Sequence, residues 1–345
     1  MKVLVTGGCG LIGFNAAKHF HNLGCDVEVM DNLERSALLG HTTSNLLRRT
    51  FNHKILTDMG IKVYLDDVSK EESFAYLNHY DAIIHMAGQC GVPTSIANPR
   101  RDFEVNLMGT FNVLELARRT GAKVVFASTN KVYPIQDSEF VFDSSIDRWK
   151  FKNYGWDSNG FPVNAQLLPA SRTPYGWSKY SADLLCQEYF HTYGVKSGVF
   201  RMSCIYGPNQ FGFEEQGWAT WFIIAMQKNL PLKIYGDGKQ VRDMLYVGDT
   251  VRAYETYLNS NVEHGVFNLG GGPENTLSIN QSLDILSGMY GRKPEVSYHD
   301  WRPCDQKAYT SDTRPLKALG WAPKVSIYEG LSIVKNWVAD NEEVF

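Results

Sequence analysis

Tyr175 and Lys179, in the stretch TPYGWSK, are of the right types and spacing to do proton chemistry. If a helix opens here, residues four apart share a face. An ammonium beside a phenol, with a nicotinamide cation near it, favours the phenolate. A phenol poised near neutral pH is a usable general base for an alcohol. Tyr-x-x-x-Lys recurs by chance, so its company decides its meaning. A hydroxyl-bearing stretch, STNKVYP (128–134), lies upstream, and a glycine-rich segment lies at the N-terminus. That combination points to removing a proton from an alcohol while a dinucleotide takes the hydride.

The glycine segment supplies the second half of such a site. Gly7, Gly10 and Gly13 follow the short β-rich run KVLVT, with Leu11 and Ile12 in the same turn. Glycines allow a tight turn and close approach of a pyrophosphate. The helix that follows offers unpaired N–H groups and a positive dipole end to phosphate. Asp31 stands 18 residues after Gly13, followed by Asn32. A carboxylate there accepts from both adenosine ribose hydroxyls and repels a 2′-phosphate, which favours NAD over NADP. Arg35 is the one nearby residue that would suit the phosphate. After the next strands, Asp67 and Val68 fall at the adenine, and Ala87, Gly88 and Gln89 run along the cofactor. His85 reads as a satisfied strand-end histidine.

Strands are expected at 2–6, 26–31, 62–66, 81–87, 123–128, 196–202 and 265–270. The clearest helices between them are 104–120 and 178–194. This alternation gives an α/β fold, a doubly wound parallel Rossmann sheet with a smaller C-terminal substrate-binding domain. The NAD-binding domain would take 1–200 with about 235–272. The second would take about 201–234 and 273–345, with helices at 218–229, 278–291 and 327–341. Segment 135–172 shows little periodicity and reads as a long functional loop.

With 345 residues and 43% hydrophobic content, the chain can bury a sizeable core. A net charge of −3 gives no global basic field for nucleic acid or an anionic membrane. No apolar run is long enough to span a bilayer. Six cysteines without metal-ligand or disulfide spacing fit a reducing, cytoplasmic setting and predict no metal site. The opening MKVLVTGGCG reads as a first strand, not a secretory signal.

The motifs TGGCGLIG, MDNL, NLMGT, STNKVY, YGWSK, RMSCIYGP, DGKQVRDMLYVGD, FNLGGG and RPCDQ span nearly the whole chain. Together they resemble the extended short-chain dehydrogenase/reductases that act on nucleotide-linked sugars. The resemblance implies that Thr129 hydrogen-bonds the reacting hydroxyl and that Asn106 and Ser203 support the cofactor. It implies Arg242 for the substrate diphosphate, Arg302 and Asp305 for the nucleotide end, and Thr94, Asn130, Cys204 and Gln216 for further substrate contacts. Dehydratases and decarboxylases of this superfamily carry an acid after the Ser/Thr, whereas Asn130 and Lys131 stand here. Hydride out and hydride back remains, which is epimerase chemistry. STNKVY, the long insert before Tyr175, EEQGWATWF and QCGVPTSIANPRRDFEVN resemble the CDP-tyvelose (CDP-paratose) 2-epimerase branch. The expected substrate is therefore a nucleotide-diphosphate sugar, with a CDP-hexose favoured. A UDP- or CDP-sugar 4-epimerase and a 4,6-dehydratase stay open. The resemblance also implies a homodimer or homotetramer, paired through helices near 102–119 and 176–193.

Overall fold

The computed structural model describes residues 1–34, 43–134, 137–165 and 172–345; Arg35 and part of the insert lie outside them. Seven parallel strands form the main sheet: β1 (Lys2–Thr6), β2 (Asp26–Met30), β3 (Lys62–Tyr64), β4 (Ala82–His85), β5 (Lys123–Thr129), β6 (Ser197–Met202) and β7 (His264–Leu269). Their spatial order is β3-β2-β1-β4-β5-β6-β7. The strands are short and almost wholly apolar because helices cover both faces. Two cores result. Phe14, Phe20, Tyr254 and Trp321 fill one, and Tyr80, Leu114, Phe126 and Cys186 fill the other.

The strand order reverses between β1 and β4, and a crevice at the carboxyl ends is expected at such a point. A sharp turn leaves β1 there. Gly7 has φ +69° and donates its N–H to Met30 at 2.7 Å. The helix Leu11–Asn22 then starts at Gly10 with no side-chain cap, so its first N–H groups face the crevice without a side-chain acceptor.

A second unit packs around Ile223, Leu283 and Val334, contributed by helices Trp218–Lys228, Ile279–Tyr290 and Ile327–Asp340. Of the 235–272 stretch, only His264–Leu269 joins the main sheet. Helix Val247–Asn259 packs on that sheet's core through Val251, Tyr254 and Tyr257.

The insert differs from the expected loop. Phe140–Asp143 pairs antiparallel with Arg148–Phe151, and a helix Tyr154–Asn159 follows. Strands of four residues are too short for alternation to register. What orders them is an aromatic cluster of Tyr133, Phe140, Phe151, Trp156, Phe161 and Tyr309. Beneath it, Arg201 donates two hydrogen bonds to Asp183, at 2.9 and 3.0 Å, and a third to Tyr133 at 3.1 Å. Ser128 donates to the same Asp183 at 2.6 Å, so β5, β6 and helix Thr173–Tyr193 share one buried polar knot. The other departure is at 104–120, where a wider π-helical segment, Phe103–Met108, precedes the α-helix Gly109–Thr120. Such segments recur at functional sites. A 3.6-residue pattern does not reveal them.

Candidate active site

A cleft of about 450 Å³ opens at the carboxyl edge of the sheet. Its floor is the β1 turn, where Gly7 and Gly13 have no room for a side chain. A Cβ on Gly13 would stand 2.2 Å from the Gly7 carbonyl, and one on Gly7 would stand 2.5 Å from the Ala87 nitrogen. Gly10, Leu11 and Ile12 line the same floor. Asp31 faces the cleft with its carboxylate fixed by the Cys9 N–H at 2.9 Å and the Leu33 N–H at 2.7 Å. Asn32, Asp67 and Val68 follow along the wall, and Ala87, Gly88 and Gln89 pass over the β4 end. Asn106 is buried behind that wall and does not line the cleft. Its amide accepts from the Gln89 N–H at 2.9 Å and donates to the Gln89 carbonyl and Ser178, which fixes the loop. His85 is held between Thr6 and Thr110, and burial brings it down to about 3, so it stays neutral.

At the other end, Thr129 ends β5 and Tyr175 and Lys179 lie in the first turns of helix Thr173–Tyr193. All three line the cleft. Thr129 Oγ accepts from the Lys131 N–H at 3.2 Å, and its hydroxyl stands within hydrogen-bond reach of both Asn130 Oδ1, at 3.4 Å, and the Tyr175 oxygen. Helix Val92–Ala97 pins the tyrosine backbone, since Ser95 Oγ accepts from the Tyr175 N–H at 3.2 Å.

The electrostatics differ from the expectation that Lys179 governs the phenol. Burial raises Tyr175 well above its ordinary value, Cys90 and Asp102 add to the rise, and the Thr129 hydroxyl opposes it. Burial also brings Lys179 down to about 8, with its Nζ over the Phe126 ring at 4.4 Å. Near neutral pH most of the lysine still carries its proton. Both groups are taken out of water, and burial is the largest influence on each.

Three side chains escaped the sequence reading. Arg101 lines the cleft and bridges Glu34 and Asp67, closing the Asp31 end. Arg48 lines the cleft too. Asp102 is fully buried behind Tyr175 and Lys179. Only tertiary folding sets them there, and the run PRRDFE has the look of an ordinary charged helix face. Burial raises Asp102 from 3.8 to about 7, against smaller lowering influences from Gln89 and Lys179. An acid whose folded value lies above its unfolded value contributes stability at low pH. That contribution is lost as pH rises through the folded value. Asp102→Asn is therefore expected to gain on the order of 2 kcal/mol more stability at pH 8 than at pH 5. Denaturant titrations at the two pH values check this, and equal gains would remove the buried-acid account.

The residues after Thr129 form a separate network. Asn130 is buried and donates to the Gln306 side chain at 3.2 Å. Lys131 donates to Asp305 at 3.2 Å and to the Cys304 carbonyl at 3.3 Å. Asp305 also accepts from Arg242 at 2.7 Å. Arg302 lies over the Tyr235 ring and donates to the Glu214 carbonyl. None of Asn130, Arg242, Arg302 and Asp305 lines the main cleft; Arg242 meets Lys131 at Asp305, whereas the Arg302 side chain turns to Tyr235 and Glu214. Thr94, Ser203, Cys204 and Gln216 do line it. Ser203 is hydrogen-bonded to Asp243, and burial raises Cys204 to about 12, so it stays a thiol. Among the described residues no cluster suits a metal ion, and no helix is long and apolar enough to cross a membrane.

A Rossmann sheet with this glycine turn, and a Thr/Tyr/Lys group at the end of β5, define a short-chain dehydrogenase/reductase. Residues 3–270 match the NAD dependent epimerase/dehydratase family, and the chain belongs to that family. It is 33% identical to the CDP-paratose 2-epimerase of Salmonella typhi, covering 98% of this chain and 99% of that one. It is 32% identical to the UDP-glucuronate 4-epimerase of Thermodesulfobacterium geofontis, covering 99% and 97%. The Thermus thermophilus UDP-glucose 4-epimerase, solved as a complex with NAD, superposes with a TM-score of 0.77 at 28% identity, covering 99% and 100%. The protein is an NAD-dependent enzyme. Its β1 turn fits the cofactor in having no room for a Cβ at Gly7 and Gly13 and in an uncapped helix start.

Proposed function

We propose that the protein inverts C2 of a CDP-linked hexose through a transient 2-keto sugar. The reading rests on the composition of the reactive end. Thr129, Tyr175 and Lys179 meet there, while the carboxylates on the described cleft wall are Asp31, Glu34, Asp66 and Asp67. Those follow β2 and β3, three or more strands from β5 and on the order of 15 Å away at ordinary strand spacing. Asn130 and Lys131 turn toward residues 304–306. Among the described residues no acid lines the reactive end, Asp102 being buried behind it and off the cleft wall, so exchange at one carbinol carbon is the chemistry these residues suit. The likeness to the CDP-paratose 2-epimerase and the STNKVY stretch favour C2 and CDP.

Bound NAD would supply the hydride acceptor and donor for the carbinol carbon. Gly7, Gly10, Gly13 and Asp31 would hold its pyrophosphate and ribose, with Asp67 and Val68 at the adenine. Tyr175 Oη takes the C2 hydroxyl proton and returns it after the sugar has turned. Thr129 steadies that oxygen, and the Lys179 charge favours the Tyr175 phenolate, which must be present before the tyrosine can accept that proton. Arg242, Arg302 and Asp305 anchor the nucleotide so that the sugar can pivot. In this assignment the main-sheet unit serves the cofactor and the second unit the nucleotide sugar. Two subunits would pair through helices Gly109–Thr120 and Thr173–Tyr193, where Phe111, Trp177 and Leu184 are exposed.

The test compares CDP-hexoses deuterated at C2 and at C4. A primary isotope effect of about 2-fold or more on kcat is expected from the C2 label when hydride transfer limits the rate. An effect confined to the C4 label, or turnover of UDP-sugars alone, would overturn the proposal in favour of a 4-epimerase.

A further inference from the structure

The two residues that replace the acids of a dehydratase have a shared destination. Asn130 and Lys131 leave the end of β5 directly after Thr129, and both reach the segment Cys304–Gln306, more than 170 positions away. Lys131 is the more exacting of the two. Its ammonium reaches the Cys304 carbonyl and an oxygen of Asp305, which also accepts from Arg242. Two cations share one carboxylate, leaving one positive charge over. Burial works to raise Asp305, but Arg242 and Lys131 overcome it and hold the carboxyl down to about 2. Burial lowers Lys131, and Asp305 counters that. The lysine side chain is 23% exposed and Arg242 is 12% exposed, so both charges lie at the border of solvent. An ion pair with nothing further to bind would be complete with one cation.

We propose that Lys131 is a positioning residue for substrate. Its ammonium ties the Arg302–Gln306 segment to the catalytic strand end and makes Lys131, Asp305 and Arg242 a net-cationic seat for a nucleoside diphosphate group. The inference rests on the nucleotide-sugar reading and adds a residue to it. A point charge is a sufficient phosphate partner, and the surplus charge is lost when the lysine is neutralised. The same tie fixes the distance from the anchored diphosphate to Thr129, which sets how far the sugar reaches into the cleft.

The experiment uses the full-length NAD-loaded enzyme, with CDP and UDP as probes in calorimetry. Lys131→Met is expected to weaken binding of the preferred diphosphate about 10-fold and to raise KM by a like factor, with kcat within about 3-fold. Lys131→Arg, which keeps the charge and the reach to Asp305, is expected to bind within about 3-fold of wild type. Bound NAD, read by its release on denaturation, should be unchanged in both. A Lys131→Met protein that melts earlier but binds CDP and UDP as wild type does would reduce the contact to a structural tie and overturn the inference. If Lys131→Met does not fold, Lys131→Gln takes its place under the same criterion. Wild-type enzyme that binds neither diphosphate would instead bring down the nucleotide-sugar reading itself.

Discussion

Tyr175→Phe is expected to lower kcat by about 10³-fold, at the middle of the range for losing a positioned general base. The substitution removes one oxygen and keeps the ring, so the packing beside helix Val92–Ala97 and the Ser95 contact to the backbone N–H survive. KM and bound NAD should change little, because Tyr175 acts on the proton in transit and not on the diphosphate. The phenol is buried, and burial raises it well above its usual value. The Thr129 hydroxyl already opposes that rise, and the charge of Lys179 on the same cleft would add to the lowering. Lys179→Met should therefore also be slow, whereas Thr129→Val should be milder because it removes one hydrogen bond to the reacting oxygen. Steady-state kinetics with NAD content measured on the same preparations checks this. A Tyr175→Phe enzyme with near-normal kcat would remove the tyrosine from the mechanism.

The second large effect lies in the β1 turn. Gly13→Ala puts a methyl 2.2 Å from the Gly7 carbonyl and 2.8 Å from the Gly8 Cα, inside backbone that has nowhere to move. Gly7→Ala adds a conformational penalty to a clash, with φ at +69° and the Ala87 backbone at 2.5 Å. Overpacking of this kind costs about 1–3 kcal/mol. A left-handed conformation in a non-glycine residue adds on the order of 1 kcal/mol more. Both variants should be purified with little NAD, with affinity reduced on the order of 10–100-fold and Gly7→Ala the worse. Its thermal midpoint should also fall, because the turn after β1 and the segment after β4 meet where Gly7 faces the Ala87 backbone. A Gly7→Ala protein that keeps its NAD and its midpoint would show that the turn has slack that the backbone distances deny.

These two predictions draw on what is local in the chain. The glycine turn follows from three glycines after a strand. The pairing of Tyr175 with Lys179 follows from helical spacing. Asp31 at the end of β2 follows from its offset from Gly13. Each depends on at most a few turns of backbone, so the sequence carries it directly. The seven strands of the main sheet were likewise legible from short apolar runs set off by helices. The insert was not, because its hairpin is held by rings that come from residue 133 and from residue 309.

Taken alone, the amino-acid sequence determined the fold class and the cofactor, it singled out Thr129, Tyr175 and Lys179 as the candidate trio, and it showed that no carboxylic acid follows Thr129. It could say what Asn130 and Lys131 lack but not what they do. Only the tertiary structure decided that. Their partners, Gln306 and Asp305, are more than 170 residues away, and no periodicity links positions so far apart. It also decided the burial that governs Tyr175 and Lys179 and the placement of Asp102 behind them. A side chain's charge is written in the sequence. The dielectric around it, and so its behaviour, comes from whatever distant segments pack against it.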